Sequence, residues 1–555
     1  MIEPETYRAV SERDVAQGRT DRKPVKIGGV SARHCGGGRR FAAVSRPKGG
    51  FTMKTVEKWG MLEITVKGDD KGNPFTEKWL SGTFQGKNEC VTVSGFYDGD
   101  GVYKVRFMPS FEGEYTYETK GNFEGAETSG AFTVTPPTGN NHGPVRVVGG
   151  HHFAYEDMTP HYSMGTTCYA WVHQPEETYQ KTLKELDKGY FNKMRFCVFP
   201  KHYIHNFRDP VTFPYEGTPV DNSNLSEETF TYQVDFTGND WDFTRFNPEH
   251  FRRIERAIVD LQNRGIEADL IVMHPYDRWG FSQMTAEQDD LYWKYVLARF
   301  SAYRNVWWSL ANEYDLLRAK TMQDWERYAK LICELDPYHH LRGIHNCMAF
   351  YDHSRPWITH ASLQRQDLYR HVEYTDDYRV RWDKPVVWDE ISYEGNIDMG
   401  WGNISGQELT RRFWEAAMRG GYAGHGETFM DPEHDILWWS HGGELHGESP
   451  ARIKFLHEIL KQTPGYGLKR GEGSFDEIVG VPDSMGFGPV EYEIHYYGFG
   501  RPSFRDFFKP ENEQWKVEVI DTWEMTVTEA GVHSGKFRVQ LPGKEYMAVR
   551  LTKVK

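Results

Sequence analysis

The stretch VWWSLANEYD, residues 306–315, places two carboxylates and an amide directly after a run of bulky apolar side chains. The apolar part predicts a buried strand. A carboxylate is costly to bring close to a core, so Glu313 is expected to be paired, exposed at the strand tip or employed in chemistry. A second stretch, KPVVWDE at 384–390, ends in the same way with Glu390. The fold must therefore explain where the ends of these two predicted strands lie relative to each other.

Around both stretches, from about residue 145 to residue 470, predicted strands alternate with amphipathic helices. The strands are centred on HYSMGTTCYAW, KMRFCVFP, ADLIVMHP, NVWWSLANE, LRGIHN, ITHASLQ, PVVWDE and YAGHGETFM. The intervening helices include NPEHFRRIERAIVDLQNRG and GQELTRRFWEAAMRGG. Eight strand–helix units over roughly 300 residues are typical of a (β/α)8 barrel, in which Glu313 would end the fourth strand and Glu390 the seventh.

The segments outside the barrel have other patterns. The first residues are rich in Gly and Arg without periodicity, which predicts disorder. Met53 is the expected natural start, because the preceding Lys-Gly-Gly can be encoded by a purine-rich ribosome-binding sequence. Short runs that alternate apolar and polar residues predict antiparallel sandwiches on both sides. The predicted domains of this α/β chain are a tail over 1–52, an N-terminal β-sandwich over 53–138, the barrel over 139–470 and a C-terminal β-sandwich over 471–555.

The composition argues against several classes of function. The 555 residues carry a formal net charge of -14, spread over segments of mixed sign. We therefore expect no positively charged surface that would bind nucleic acid. No apolar run approaches the roughly 18 residues that cross a bilayer. The 6 cysteines show no CxxC spacing. We expect a cytoplasmic protein without nucleic-acid or membrane partners, and no motif predicts a metal or a cofactor.

The chemistry follows from the two glutamates. In a (β/α)8 barrel, catalytic groups come from the C-terminal ends of the strands, and strands four and seven face each other across the mouth. Two carboxylates about 5 to 5.5 Å apart hydrolyse a glycosidic bond with retention of configuration. We predict Glu313 as the acid/base, since burial beside an ionised carboxylate keeps it protonated at neutral pH. Glu390 is then the nucleophile.

On these motifs the sequence resembles the clan-A retaining glycoside hydrolases, and among them the apiosidase-like bacterial barrels with an N-terminal β-sandwich and a C-terminal β-domain. The resemblance implies that LANE supplies Asn312 for the sugar 2-hydroxyl and Glu313 as acid/base, while VWDE supplies Glu390 as nucleophile. It also implies that Arg195 on strand two supports the nucleophile. His274, at the end of strand three, would line the glycone subsite.

The sequence departs from that pattern at two points. Many clan members place a tyrosine on strand six to hydrogen-bond the nucleophile, but THASLQRQ has none, so His360 or Tyr393 is expected to take its place. Apiosidases are expected to carry an aspartate where this chain has Glu313. That difference favours ordinary pyranosides over apiosides.

Aromatic rings are the other expected sugar contacts, because the C–H face of a pyranose stacks on them. The candidates are Trp171 after strand one, Trp279 in the loop after strand three, and Trp438 and Trp439 in the loop after strand eight. Each is equally a candidate for core packing. The loop after strand eight is expected at the barrel mouth, which favours Trp438 and Trp439.

Two other functions compete with a glycosidase. A metal-dependent barrel hydrolase is suggested by His345 and His360 on strands five and six, but strand one lacks the His-x-His pair that such barrels use. A non-catalytic carbohydrate-binding protein would lack one of the glutamates. Glu394 and Glu427 are weaker candidates for the nucleophile, since the first lies beyond a strand tip and the second belongs to strand eight.

The sequence therefore predicts a retaining glycosidase that acts on β-linked short oligosaccharides or glycosides. A long insertion over 203–245 could close one end of the groove, which favours exo-action. The sandwiches are expected to pack against the barrel, to shape its rim or to support a homo-oligomer.

Overall fold

The computed structural model describes residues 54–430, 438–473, 477–483 and 489–555. The predicted tail and the expected start at Met53 lie outside the described residues. At the centre of the fold, eight parallel strands form a barrel. They cover Met164–Thr167, Lys193–Cys197, Glu267–Met273, Val306–Ala311, Arg342–Gly343, Ala361–Leu363, Val386–Trp388 and Tyr422–His425.

The barrel closes on itself. Each strand pairs in parallel with the next, apart from strands five and six, and strand eight returns to strand one. A single bridge between His345 and Ser362 joins strands five and six. All residues of the third and fourth strands are buried, as expected for parallel strands covered by helices on one side and packed into a barrel core on the other. The predicted (β/α)8 barrel with extra β-domains is confirmed.

Helices surround the barrel and begin at recognisable caps. Their bounds are Glu176–Leu186, Pro248–Asn263, Ala286–Phe300, Met322–Leu335, Thr375–Trp382, Gly406–Met418 and Ser449–Leu460. Thr285 and Thr321 each form a capping box with the residue three positions later, and Asn247 caps a helix that opens with Pro248. These three caps fix where the strand-to-helix loops before their helices end.

A β-hairpin closes the N-terminal end of the barrel. Its strands, Val145–Val148 and His152–Tyr155, pair in an antiparallel manner. Phe153 of the hairpin packs against Trp307 and Tyr422, which come from the fourth and eighth strands. The opposite, C-terminal end is therefore the end that can open to substrate.

Two antiparallel β-regions flank the barrel. On the N-terminal side, a five-stranded sheet faces a three-stranded one around an apolar core. The strands of these two sheets are Lys54–Glu57, Ser129–Thr135, Gly113–Gly121, Leu80–Gln85 and Cys90–Ser94, and Leu62–Lys67, Val102–Phe107 and Phe96–Tyr97. Within the five-stranded sheet, Lys54–Glu57 pairs in parallel and the other strands are antiparallel.

The C-terminal region contains a six-stranded and a two-stranded antiparallel sheet. Their strands are Leu468–Arg470, Ile478–Pro482, Tyr492–Tyr496, Met547–Lys553, Trp515–Asp521 and Thr526–His533, and Phe504–Phe508 and Lys536–Gln540. Tyr496 stacks on Trp414 of the helix before strand eight, with ring centroids 5.5 Å apart. Among the described residues, no helix is both long and apolar enough to cross a membrane.

Candidate active site

A cavity of about 250 Å³ lies at the C-terminal ends of the barrel strands. Glu313 and Glu390 both line it, as do Asn312, Tyr393 and Trp439 from the predicted set. The remaining lining residues are Tyr169, Lys201, Tyr203, Tyr276, Cys347, Gln364, Arg365, Gln366, Asp367, Leu368, His371, Ser392 and Trp401. The ends of strands four and seven therefore contribute to one pocket.

Glu313 sits in a strained turn at the end of strand four. Its φ of 49° and ψ of 54° fall in the left-handed region, which is rare for residues with a side chain and common at functional sites. The turn is fixed because the Tyr314 N–H donates to the His345 carbonyl at 2.9 Å. The side-chain amide of Gln364 donates to Glu313 at 2.8 Å, and the Tyr276 hydroxyl donates to the other carboxylate oxygen.

The environment of Glu313 favours its protonated form. Burial and the neighbouring charge of Glu390 raise the pKa of Glu313, and the hydrogen bonds from Tyr276 and Gln364 oppose that shift without cancelling it. A carboxyl group in such a site can hold a proton near neutral pH and donate it to a leaving group.

The environment of Glu390 favours its ionised form. Burial acts to raise the pKa of Glu390, but nearby donors and positive charge outweigh burial and lower it. The Tyr169 hydroxyl donates to its carboxylate, and the Arg195 guanidinium lies 3.7 Å away. His345 Nδ1 lies 3.8 Å away, but burial lowers the pKa of His345 to about 4. The largest of these contributions to the lowered pKa of Glu390 comes from His345 when it is charged, followed by Arg195, Tyr169 and Lys201. At pH 7 His345 is neutral, and the other three favour the ionised carboxylate.

Arg195 is held in place by a charged network inside the barrel. Its guanidinium lies 3.8 Å from both Asp269 and Asp389. Lys193 pairs with the same two carboxylates, at 2.9 Å and 2.6 Å. All four side chains are buried, and opposite charges that are buried together fix one another in position. The predicted support of Glu390 by Arg195 is consistent with this arrangement.

Asn312 links the two sides of the pocket. Its side-chain oxygen accepts a hydrogen bond from Arg195 at 3.1 Å and lies 3.4 Å from the Tyr169 hydroxyl oxygen. Because the Tyr169 hydroxyl donates its proton to Glu390, one phenol lies between Glu390 and the residue beside Glu313. The side-chain oxygen of Asn312 is occupied by the Arg195 donor, which leaves its amide N–H2 to face a ligand.

Four predicted contacts lie away from the pocket, in packed interiors. Trp171 stacks on Tyr179 with ring centroids 4.6 Å apart, and Trp438 donates its indole N–H to Thr166. Trp279 is buried and lies outside the cavity lining. His360 precedes strand six and packs against the ring of Trp307 at the closed end of the barrel. The sugar contacts predicted for Trp171, Trp279, Trp438 and His360 are thus not supported, since none of these side chains reaches the cavity.

His274 and Tyr393 have different outcomes. His274 is buried behind the cavity and its Nε2 lies 3.2 Å from the Phe199 carbonyl, so it supports the pocket without lining it. Tyr393 does line the cavity, where it packs against Trp401 and Trp439. The hydrogen bond to Glu390 that the sequence assigned to His360 or Tyr393 comes instead from Tyr169, which follows strand one.

Glu394 and Glu427 hold backbone rather than face the cavity. Glu394 accepts from the N–H groups of Glu448 and Ser449 at the start of the last barrel helix, at 2.7 Å and 3.0 Å. Glu427 accepts from the N–H groups of His446 and Gly447. Both carboxylates are thereby occupied by one loop, which leaves Glu390 as the only one of the three that lines the cavity within the described residues.

The sequence patterns did not point to four residues that line the cavity beside the two glutamates: Tyr169, Tyr276, Lys201 and Gln364. Tyr169 and Gln364 follow the ends of strands one and six, where the rule that found the glutamates would also have placed them. Tyr276 and Lys201 lie in loops, which carry no periodic signal. No group of three or more His, Cys, Asp or Glu side chains in the described ranges is arranged to hold a metal.

A closed (β/α)8 barrel with two glutamates of opposite environment at its mouth defines a glycoside hydrolase of the clan-A type. The profile of the apiosidase-like catalytic domain matches residues 148–448, which is more than half of the chain. The chain belongs to this family and is a glycosidase. Two domains of unknown function match on either side, DUF5060 over 55–122 and DUF5605 over 484–552.

Solved structures agree with this assignment. A provisionally assigned glycoside hydrolase from Bacteroides vulgatus ATCC 8482 is 38% identical, with a TM-score of 0.83, over 90% of this chain and 100% of its own. A glycoside hydrolase family 5 protein from the same organism is 14% identical, with a TM-score of 0.56, over 74% of this chain and 93% of its own. At that identity the second likeness shows the fold alone. No curated protein matches the chain.

Proposed function

We propose that the chain hydrolyses glycosides with retention of configuration, using Glu313 as general acid/base and Glu390 as nucleophile. The observation that carries this proposal is that both glutamates line one cavity while their surroundings move their pKa values in opposite directions. Two carboxyl groups whose environments separate their pKa values are the usual mark of an acid and a nucleophile in one site.

In the first step, ionised Glu390 attacks the anomeric carbon and Glu313 gives its proton to the leaving oxygen. Tyr169 and Arg195 stabilise the charge of Glu390 before the attack. Asn312 is placed to donate its amide to the sugar 2-hydroxyl, which strengthens binding in the transition state.

In the second step, water releases the sugar. The glycosyl ester removes the negative charge of Glu390, so one of the two causes that raise the pKa of Glu313 is gone. Tyr276 and Gln364 now favour its ionised form, and Glu313 takes a proton from the attacking water. The same residue thus acts as acid and then as base.

We further propose exo-action on β-linked short oligosaccharides in the cytoplasm. The cavity of about 250 Å³ is below the roughly 300–1,000 Å³ of typical ligand sites, and a single sugar ring suits it better than a chain. The insertion over 203–245 brings Tyr232 against Tyr203 of the cavity wall, with ring centroids 5.6 Å apart. Cleavage in the middle of a long polysaccharide would contradict exo-action.

The test is a panel of nitrophenyl glycosides with Glu313→Ala, Glu390→Ala and added azide. Both variants are expected to lose most activity. Azide should restore turnover of each, giving a glycosyl azide of retained anomer from Glu313→Ala and of inverted anomer from Glu390→Ala. The matched control is Glu394→Ala, which should give no azide product because Glu394 holds backbone. Exchanged anomers would reverse the two roles.

A further inference from the structure

Lys201 is a buried cation on the wall of the cavity. Its side chain lies in the loop after strand two and the residue is only 4% exposed. The ammonium nitrogen lies 3.5 Å from the ring centroid of Tyr169 and 4.3 Å from that of Tyr276. The rings of Tyr203 and Trp439 lie 5.0 Å and 5.1 Å away. Four aromatic faces therefore surround one positive charge.

The described part of the chain gives this ammonium no carboxylate within 4.0 Å and no hydrogen-bond acceptor. Glu313 and Glu390 influence it only at longer range. A buried charge without a partner is costly, and the aromatic faces compensate only in part. Burial lowers the pKa of Lys201 to about 8, so the side chain remains mostly charged at pH 7. Its three N–H donors are available to a ligand.

The position of the ammonium points to the sugar that reacts. Tyr169 holds Glu390 and Tyr276 holds Glu313, and Lys201 lies against both phenol rings. A sugar placed between the two glutamates would thus present one of its substituents to Lys201. The cavity lining also contains Arg365, but that guanidinium lies over the ring of Tyr374 and donates to Tyr378.

We propose that Lys201 binds an acidic substituent, a carboxylate or a sulfate ester, on the sugar whose bond is cleaved. This inference rests on the proposed function and assigns its substrate class: uronides or sulfated glycosides. An anionic group supplies the negatively charged hydrogen-bond acceptor that the Lys201 ammonium lacks. It pairs with the buried ammonium and accepts its hydrogen bonds in a region of low dielectric.

An alternative role for Lys201 is to balance the charge of Glu390 at long range. That role would affect all substrates alike, since the nucleophile is the same for each. An anion-binding role affects only substrates that carry the acidic group. Comparing matched neutral and acidic substrates therefore separates the two roles.

The experiment compares nitrophenyl β-glucuronide with β-glucoside, β-galacturonide with β-galactoside, and 6-sulfated with unsulfated galactoside. The wild type should prefer an acidic member of at least one pair. Lys201→Met and Lys201→Gln should lower the ratio of kcat/KM for that member to kcat/KM for its neutral partner by roughly 10- to 150-fold, the range for hydrogen bonds between charged groups. Which pair responds distinguishes carboxylate from sulfate. Lys294→Met removes an exposed lysine of a barrel helix and should change neither.

Calorimetric binding of free glucuronate, galacturonate, galactose 6-sulfate and the neutral sugars provides a readout that needs no turnover. Thermal melting of both Lys201 variants checks that they fold. A wild type that prefers neutral sugars, or equal losses on both members of a pair, would overturn the inference while leaving the two-glutamate proposal intact. Lysine-dependent binding of an acidic sugar that is never hydrolysed would support the inference and refute the proposed function.

Discussion

Removing one hydroxyl should move the pH dependence of the enzyme. In Tyr169→Phe, Glu390 loses a buried hydrogen bond that favours its ionised form. The ring itself stays, so its packing against Lys201 and Trp439 is retained. The pKa of Glu390 should therefore rise, and the acid limb of kcat/KM should move to higher pH.

The size of the shift follows from the type of bond. A hydrogen bond to a charged group contributes about 1.5–3 kcal/mol, and each pKa unit corresponds to about 1.36 kcal/mol. The acid limb should move up by roughly 1–2 pH units. Below the limb, activity should fall about tenfold for each unit of the shift, because the ionised fraction of Glu390 falls by that factor.

The assay is the pH dependence of kcat/KM with a nitrophenyl glycoside that the wild type hydrolyses. The matched control is Tyr292→Phe, which removes another buried phenol that donates to the Val272 carbonyl at 3.0 Å, away from the cavity. This control should change stability but not the limb. An unchanged limb in Tyr169→Phe would refute the role given to Tyr169 in holding Glu390 ionised.

Two further changes test other parts of the structure. Tyr276→Phe removes a hydrogen bond that lowers the pKa of Glu313. The pKa of Glu313 should therefore rise, and the basic limb of kcat/KM should move to higher pH. A basic limb that does not move would contradict the role given to Glu313. Arg106→Met removes a buried salt bridge between the N-terminal sandwich and Glu255 of a barrel helix. In it, two guanidinium nitrogens of Arg106 lie 2.6 Å and 3.0 Å from the carboxylate oxygens of Glu255. The substitution should lower the free energy of unfolding by about 2 kcal/mol in urea titrations, the value for a lost hydrogen bond between charged groups, because Glu255 keeps Arg299 as a partner at 2.6 Å. The more exposed Arg252→Met should cost about 1 kcal/mol or less, and equal losses would contradict this account.

The barrel and its two glutamates could be predicted because both depend on local pattern. Apolar strands alternate visibly with amphipathic helices, and a carboxylate directly after a buried strand is conspicuous. Strand number then placed Glu313 and Glu390 at one end of the barrel. These inferences needed no knowledge of side-chain contacts.

Other parts of the site could not be predicted, since they depend on which way a side chain points. Trp171 and Trp438 follow strands one and eight, but their rings turn into the packed interior. His360 stands one residue before strand six, which puts it at the closed end of the barrel. Lys201 and Tyr276 reach the cavity from loops whose course only the folded chain fixes.

The central claim is that Glu390 forms a covalent bond to the sugar. A 2-deoxy-2-fluoro glycoside with a good leaving group, derived from a sugar that the enzyme hydrolyses, should slow release of that sugar and let the adduct accumulate. We predict that mass spectrometry of the digested protein finds one sugar on the peptide containing Glu390. A sugar on Glu394 or Glu427, or complete turnover without any adduct, would contradict the account.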